Sequence, residues 1–240
     1  MGINVKDIEE SDRYNRQKKV LSVYNQKGGV GKTSLTVLLS LFGASLEKKI
    51  LMIDLDPQES LSQSFSGTEK TVFHWLTGHP DVIQSISENL SLIRGDLQLI
   101  KIQAGILYNQ IDKLLNKFNY DLIILDLPPT YNQLVTSAIY ASDVVLVPTL
   151  QSEYDKKSLL FTLDTVTEVK QDIEKIIVFN RQPKTTKEID LQFLSDTRIS
   201  SYPIYFFPNM VSIRKAISKK ILSNKISYQI ESLFHFINGL

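Results

Sequence analysis

Between an apolar run, Val20-Leu21-Ser22-Val23-Tyr24, and a stretch of helical periodicity, Ser34 to Leu46, lie three glycines and two lysines in eight residues, Gln26-Lys27-Gly28-Gly29-Val30-Gly31-Lys32-Thr33. No other feature of the 240-residue chain restricts the fold so far. Glycines allow the backbone to curl until successive N–H groups point inward, which makes a nest for anionic oxygens. A helix starting directly after such a turn adds the positive end of its dipole. Gly28, Gly29, Val30, Gly31, Lys32, Thr33 and Ser34 are therefore predicted to line a phosphate site. Lys32 can reach β- and γ-phosphates there, and the Thr33 hydroxyl can ligate Mg²⁺.

The rest of the chain supports a strand–turn–helix reading of that segment. Ile50-Leu51-Met52-Ile53, Leu122-Ile123-Ile124-Leu125, Val144-Val145-Leu146-Val147 and Ile176-Ile177-Val178-Phe179 are short runs without apolar–polar alternation. Such runs suit parallel strands buried on both faces. Helical segments near 98–117, 132–141 and 156–170 separate them. The alternation predicts an α/β fold, a doubly wound, mostly parallel sheet with helices on both faces. Polar, aperiodic residues 1–17 read as a flexible arm, and 18–240 as a single domain. Cysteine is absent, which excludes disulfides, thiolate metal sites and a thiol nucleophile. No apolar run reaches 18 residues, so no membrane span is predicted and the chain reads as cytoplasmic.

Departures from the general phosphate-binding loop carry a more specific message. Gln26 stands where the general motif has glycine, and Lys27 is a second lysine at the start of the loop. This form is the deviant Walker A motif, and it resembles the ParA/MinD family of P-loop NTPases. The resemblance implies ATP and Mg²⁺ as cofactors. It also implies an ATP-dependent homodimer in which Lys27 crosses to the partner's nucleotide. Leu51-Met52-Ile53-Asp54-Leu55-Asp56-Pro57-Gln58 places two carboxylates at a strand end, where ligands of open α/β sheets sit. It looks like the ParA branch. There the family implies one acid near the metal, assigned to Asp54, and another that orients the attacking water, assigned to Asp56. Capping of the turn before Pro57 is the alternative for Asp56. Tyr120 to Pro129 resembles the Walker B strand, and Asp126 after four apolar residues needs a cation or donors to offset its burial. The expected metal set is Thr33, Asp54 and Asp126, and the expected catalytic set is Lys27, Lys32 and Asp56.

Weaker signals follow. Asn180 and Pro208 sit where family members contact adenine. Between Asp196 and Glu231 there is no acid, while Arg198, Arg214, Lys215, Lys219, Lys220 and Lys225 are basic, against a net charge of +1 for the chain. Clustered cations without acids suit phosphate backbones. Arg214, Lys215, Lys219 and Lys220 are accordingly expected to bind DNA non-specifically, as the ParA resemblance implies. Ile226, Ile230, Leu233, Phe234 and Ile237 recur at helical spacing with no Lys or Arg after Lys225. An interfacial helix would carry cations on its polar face. The tail therefore reads as a helix docked on the core rather than as a membrane anchor of the MinD kind. The combined expectation is a partition-type ATPase of the cytoplasm and nucleoid, slow alone and stimulated by a ParB-like activator protein. A MinD-like or flagellar-positioning ATPase at a membrane is the alternative.

Overall fold

The apolar runs without alternation form the middle of one eight-stranded sheet in the computed structural model. The structure describes residues 18–67, 69–102, 105–182, 191–208 and 224–239. In chain order the elements are β1 (Lys19–Val23), α1 (Lys32–Ser45), β2 (Ile50–Asp54), α2 (Val72–Leu76), β3 (Gln84–Ser87), β4 (Leu90–Ile93), α3 (Leu99–Ile102), α4 (Gln110–Leu115), β5 (Leu122–Asp126), α5 (Gln133–Ala141), β6 (Val144–Thr149), α6 (Glu153–Val169), β7 (Glu174–Gln182), α7 (Leu191–Leu194), α8 (Thr197–Ser200), β8 (Ile204–Pro208) and α9 (Asn224–Gly239). A 3-10 turn lies at Ser62–Ser64.

The strand order is β3-β4-β2-β5-β1-β6-β7-β8. Every pairing is parallel except that of β3 with β4. The expected doubly wound sheet is therefore present, with one antiparallel edge. β1 lies between β5 and β6, so the loop leaving its carboxyl end opens at the point where the winding reverses. Open α/β sheets bind ligands at that crevice.

Side-chain alternation along the buried strands separates two cores. Leu51, Ile53, Ile123 and Leu125 face one side, which α2, α4, α5 and α6 cover. Ile50, Met52, Leu122 and Ile124 face the other, which α1 and α9 cover. The expected docking of the tail is realised: Ile230, Leu233, Phe234 and Ile237 are buried, and the Phe234 ring meets that of Phe42 edge-on at 5.4 Å. Gly43 makes this approach possible, because a methyl group there would come within 2.7 Å of the Phe234 ring and 2.8 Å of Ile50. Among the described residues no helix is long and apolar enough to cross a membrane.

Two expectations need correction in detail. The single helical segment near 98–117 is two short helices, α3 and α4. Gly105 lies between them, and the Gln110 side chain folds back to accept from Leu107 N at 3.0 Å, which starts α4 afresh. The segment near 156–170 begins earlier, at Glu153, because the Ser152 hydroxyl accepts from Asp155 N and caps the helix. The proposed arm, residues 1–17, lies outside the described residues, as do Arg214, Lys215, Lys219 and Lys220.

Candidate nucleotide site

The loop between β1 and α1 turns through two left-handed glycines, Gly29 at φ 74° and Gly31 at φ 101°. Only glycine adopts these angles without strain. A methyl group added at Gly28 or Gly29 would meet no protein atom within 4 Å. The cradle is therefore open on that side, as a phosphate nest must be. Lys32, buried at the start of α1, folds back so that its Nζ donates to the carbonyls of Asn25 and Lys27, each at 3.2 Å. Burial lowers its pKa, and the carboxylates of Asp126 and Asp56 push it back up. The ammonium is thus held across the mouth of the loop.

Behind the loop, support comes from residues that no motif announced. Asn25 Nδ2 donates to Pro148 O at 2.8 Å, and its Oδ1 accepts from Lys27 N at 2.8 Å and Ser158 Oγ at 2.9 Å. Gln26, the residue that departs from the general motif, donates from its backbone to Thr162 Oγ1 and from its side chain to Thr165 Oγ1. The loop is therefore clamped onto α6, which explains why a long polar side chain stands there instead of glycine. Lys27 leaves the loop on the same side. Its Nζ lies 2.6 Å from Asp155 Oδ1, and Asp155 also bonds Ser152 Oγ. Lys27 remains 35% exposed while Asp155 is only 3% exposed.

The two strand-end carboxylates are neighbours, because Asp54 and Asp126 are paired in register on β2 and β5. Thr33 Oγ1 donates to Asp126 Oδ2 at 2.7 Å, with Thr36 Oγ1 at 3.4 Å from its other oxygen. Burial first and the Asp54 charge second push the Asp126 carboxyl up to about 8. Asp54 is raised to about 6, again chiefly by burial, although hydrogen bonds from Ser62 and Asp56 oppose the rise. Its Oδ2 accepts from Ser62 N at 2.9 Å and Ser62 Oγ at 2.6 Å, and its Oδ1 accepts from Asp56 N at 3.2 Å. Ser62 Oγ in turn accepts from Gly95 N at 2.7 Å. Asp54 therefore fastens the turn that carries Asp56. Asp56, half-buried, accepts from Gln58 N at 2.9 Å, so the capping geometry that the sequence offered as its alternative role is present.

Thr33, Asp126 and Asp54 bring a hydroxyl and two carboxylates together under the loop. Among the described residues no group of three or more His, Asp or Glu side chains could hold a metal by itself. An oxygen set this small suits a cation that keeps water and takes phosphate oxygens as ligands. On the far side of the loop, Asn180 ends the regular part of β7, and its Nδ2 donates to Val30 O at 2.9 Å. Pro208 ends β8, opposite Gln182.

Comparison with known proteins agrees with this geometry. The AAA domain family matches residues 18–179. The sporulation initiation inhibitor protein Soj of Bacillus subtilis is 32% identical over 170 residues, which are 65% of this chain and 67% of Soj. A putative plasmid partition protein from Borrelia burgdorferi bound to AMPPNP superposes with a TM-score of 0.78 at 20% identity, covering 93% of this chain and 100% of that one. An ATP complex of Cyanothece McdA superposes with a TM-score of 0.78 at 20% identity, covering 94% and 96%. With the family pattern spanning the sheet from β1 to β7, and the two lysines, Thr33 and Asp126 assembled around one loop, the chain belongs to the ParA/MinD-type P-loop ATPases.

Proposed function

We propose that the chain binds Mg-ATP in the loop from Lys27 to Ser34, dimerises when ATP is bound, and hydrolyses it slowly to move DNA. The observation that carries this reading is the stack of Lys32, Thr33 and Asp126 around a glycine cradle that is open to solvent. The ATP and AMPPNP bound in the two solved neighbours support the same ligand. Thr33 and Asp126 would hold Mg²⁺, which would supply positive charge against the phosphate oxygens. Lys32 would bind the β- and γ-phosphates, and Asp56 would orient the attacking water. Slow intrinsic turnover suits an enzyme whose rate an activator of the ParB kind controls.

The roles divide in a way that kinetics can read. Lys32→Ala removes charge-assisted bonds to the phosphates and is expected to weaken binding of a non-hydrolysable ATP analogue by about 100-fold. Asp56→Ala should bind that analogue within about threefold of the parent and hydrolyse ATP at least ~100-fold more slowly. Calorimetric titration and a phosphate-release assay measure the two. Equal loss of affinity in both variants would refute the assignment.

The DNA part of the proposal rests on the basic run from Arg214 to Lys225. Binding should require ATP, ignore sequence and weaken with salt, because each neutralised phosphate releases counterions. Arg214→Glu with Lys215→Glu should make the log–log salt slope shallower by about two units, one for each phosphate no longer neutralised. A double variant with the parent's slope would leave that run as a solvated face. The membrane alternative has less behind it, since Ile230, Leu233, Phe234 and Ile237 of α9 are buried in the core that α1 and the sheet share.

A further inference from the structure

A cavity of about 480 Å³ opens between the end of α4 and the turn that joins α2 to β3. Trp75, Val82, Leu114 and Phe118 give it apolar walls, and the Trp75 and Phe118 rings stack there at 5.8 Å. Ile83 on the same lining is 37% exposed. Its charged lining residues are Lys117 and Asp81, with His79 beside them. A concave apolar surface of this size is an ordinary seat for apolar groups. The chain enters the described fold at the rim of this cavity. Lys18 Nζ donates to Leu115 O and, at 3.2 Å, to Phe118 O, where the carbonyls that end α4 favour a cation. Residues 1–17 therefore join the fold next to Phe118, itself part of the lining. Ile8 lies ten positions before Lys18, a reach of up to ~33 Å for an extended chain.

We propose that this cavity is the docking site for the chain's own residues 3–10, with Ile3, Val5 and Ile8 seated against Trp75 and Phe118. The charges match as well as the apolar groups do. Asp7, Glu9, Glu10 and Asp12 form an acidic stretch that no cation interrupts. Lys113 and Lys117, both exposed and four positions apart, offer the complementary charge at the end of α4. Asp81 is the one acid on the lining, so the acidic stretch belongs on the α4 side of the cavity. Tethering through Lys18 gives the segment an effective concentration on the order of millimolar, so a contact too weak to hold a free peptide suffices within the chain. The five residues of β1, ~16 Å of strand, separate Lys18 from the phosphate loop. Docking of the segment is therefore independent of the nucleotide.

Trp75 is the chain's single tryptophan and cysteine is absent, so fluorescence and thiol crosslinking both report on this place alone. Acrylamide quenching of Trp75 emission is measured on the full chain. Ile3→Ser, Val5→Ser and Ile8→Ser together should empty the cavity and raise the quenching constant about threefold, as a tethered segment leaves its seat. Lys117→Glu should raise it partway, and adding Glu9→Lys and Glu10→Lys to that variant should return it to the parent's value. Binding of the ATP analogue should stay within about twofold of the parent throughout, because the two sites are distant. Parental quenching in the triple serine variant would overturn the proposal. So would a rise in quenching that comes only with a lower melting temperature, since loss of folding exposes Trp75 by itself. Ile8→Cys with Ile83→Cys, treated with a short bis-maleimide, should join its two thiols within one chain. Crosslinks between chains would make a second copy the occupant, and two singly modified thiols would leave the segment elsewhere; either result overturns the docking.

Discussion

Asp126→Asn is expected to raise the stability of the nucleotide-free protein while abolishing ATP hydrolysis. The Asp126 carboxyl is buried beside Asp54 and pushed up to about 8, whereas its ordinary value is 3.8. The folded state therefore keeps a proton that the unfolded state releases near pH 4. Between about pH 4 and 8 the unfolded state binds fewer protons, so stability falls as pH rises and levels off above the folded value. Asp54, raised to about 6, adds to the same slope over a narrower window. Asparagine cannot ionise, so the variant should lack the Asp126 share of the slope and gain on the order of a few kcal/mol over the parent near pH 8. Thr33 can still donate to the amide oxygen. What the amide cannot supply is negative charge for a cation, so added Mg²⁺ and ATP analogue should raise the parent's melting temperature and leave the variant's nearly unchanged. Thermal denaturation from pH 5 to 8.5, with and without those ligands, measures both effects. A parent-minus-variant difference that does not grow with pH would refute the argument.

Lys27→Ala is expected to separate nucleotide binding from association. Within one subunit Lys32 already spans the mouth of the loop, and Lys27 points away from it to Asp155, 2.6 Å distant. The Lys27 ammonium is 35% exposed and free to swing out. The stronger attraction of a triphosphate must offset the cost of leaving the buried Asp155 carboxylate with Ser152 as its donor. Across a two-fold interface each subunit would offer Lys27 to the other's phosphates, so the pairing is made twice. The 27.3 kDa chain should sediment as a monomer without nucleotide and at twice that mass with a non-hydrolysable ATP analogue. Lys27→Ala should bind the analogue within about threefold of the parent, yet weaken dimerisation by at least ~100-fold, since two close charge pairs disappear from the interface. Sedimentation velocity on both proteins decides it. A parent that remains monomeric at saturating analogue contradicts the association mechanism.

The parts of this site that lie within one segment were legible in the sequence, and the parts assembled from distant segments were not. Gly28 to Thr33 announces itself because glycine spacing and an adjoining strand and helix leave few other conformations. Asp126 stands out because a carboxylate after four buried residues needs a reason. The partners of those residues carry no such signal. Asp155 is 128 positions from Lys27, and only the parallel placement of β1 and β6 brings α6 over the loop. Ser62 reads as an ordinary polar residue until the backbone turns it onto Asp54. The edge strand β3, with the sequence Gln-Ser-Ile-Ser, is half solvated and lacks the apolar run that betrays the central strands. Asn180 suggests an adenine contact because of where it falls in the chain, but its direction depends on a bulge that spacing does not reveal.

The seat of α9 on α1 has a consequence for how the molecule is made. Gly43 and Phe234 touch across roughly 190 intervening residues, and ribosomes add about 5–20 residues per second. For some ~10–40 s of each synthesis, the outer face of the helix that begins the phosphate loop is bare of the segment that later covers it. Phe42 and Gly43 meet Phe234 of α9 on that face in the finished protein. A polypeptide stopped short of Ile230 would present that face to chaperones and proteases. Chains that carry α9 therefore bury apolar surface that chains stopped before it leave exposed.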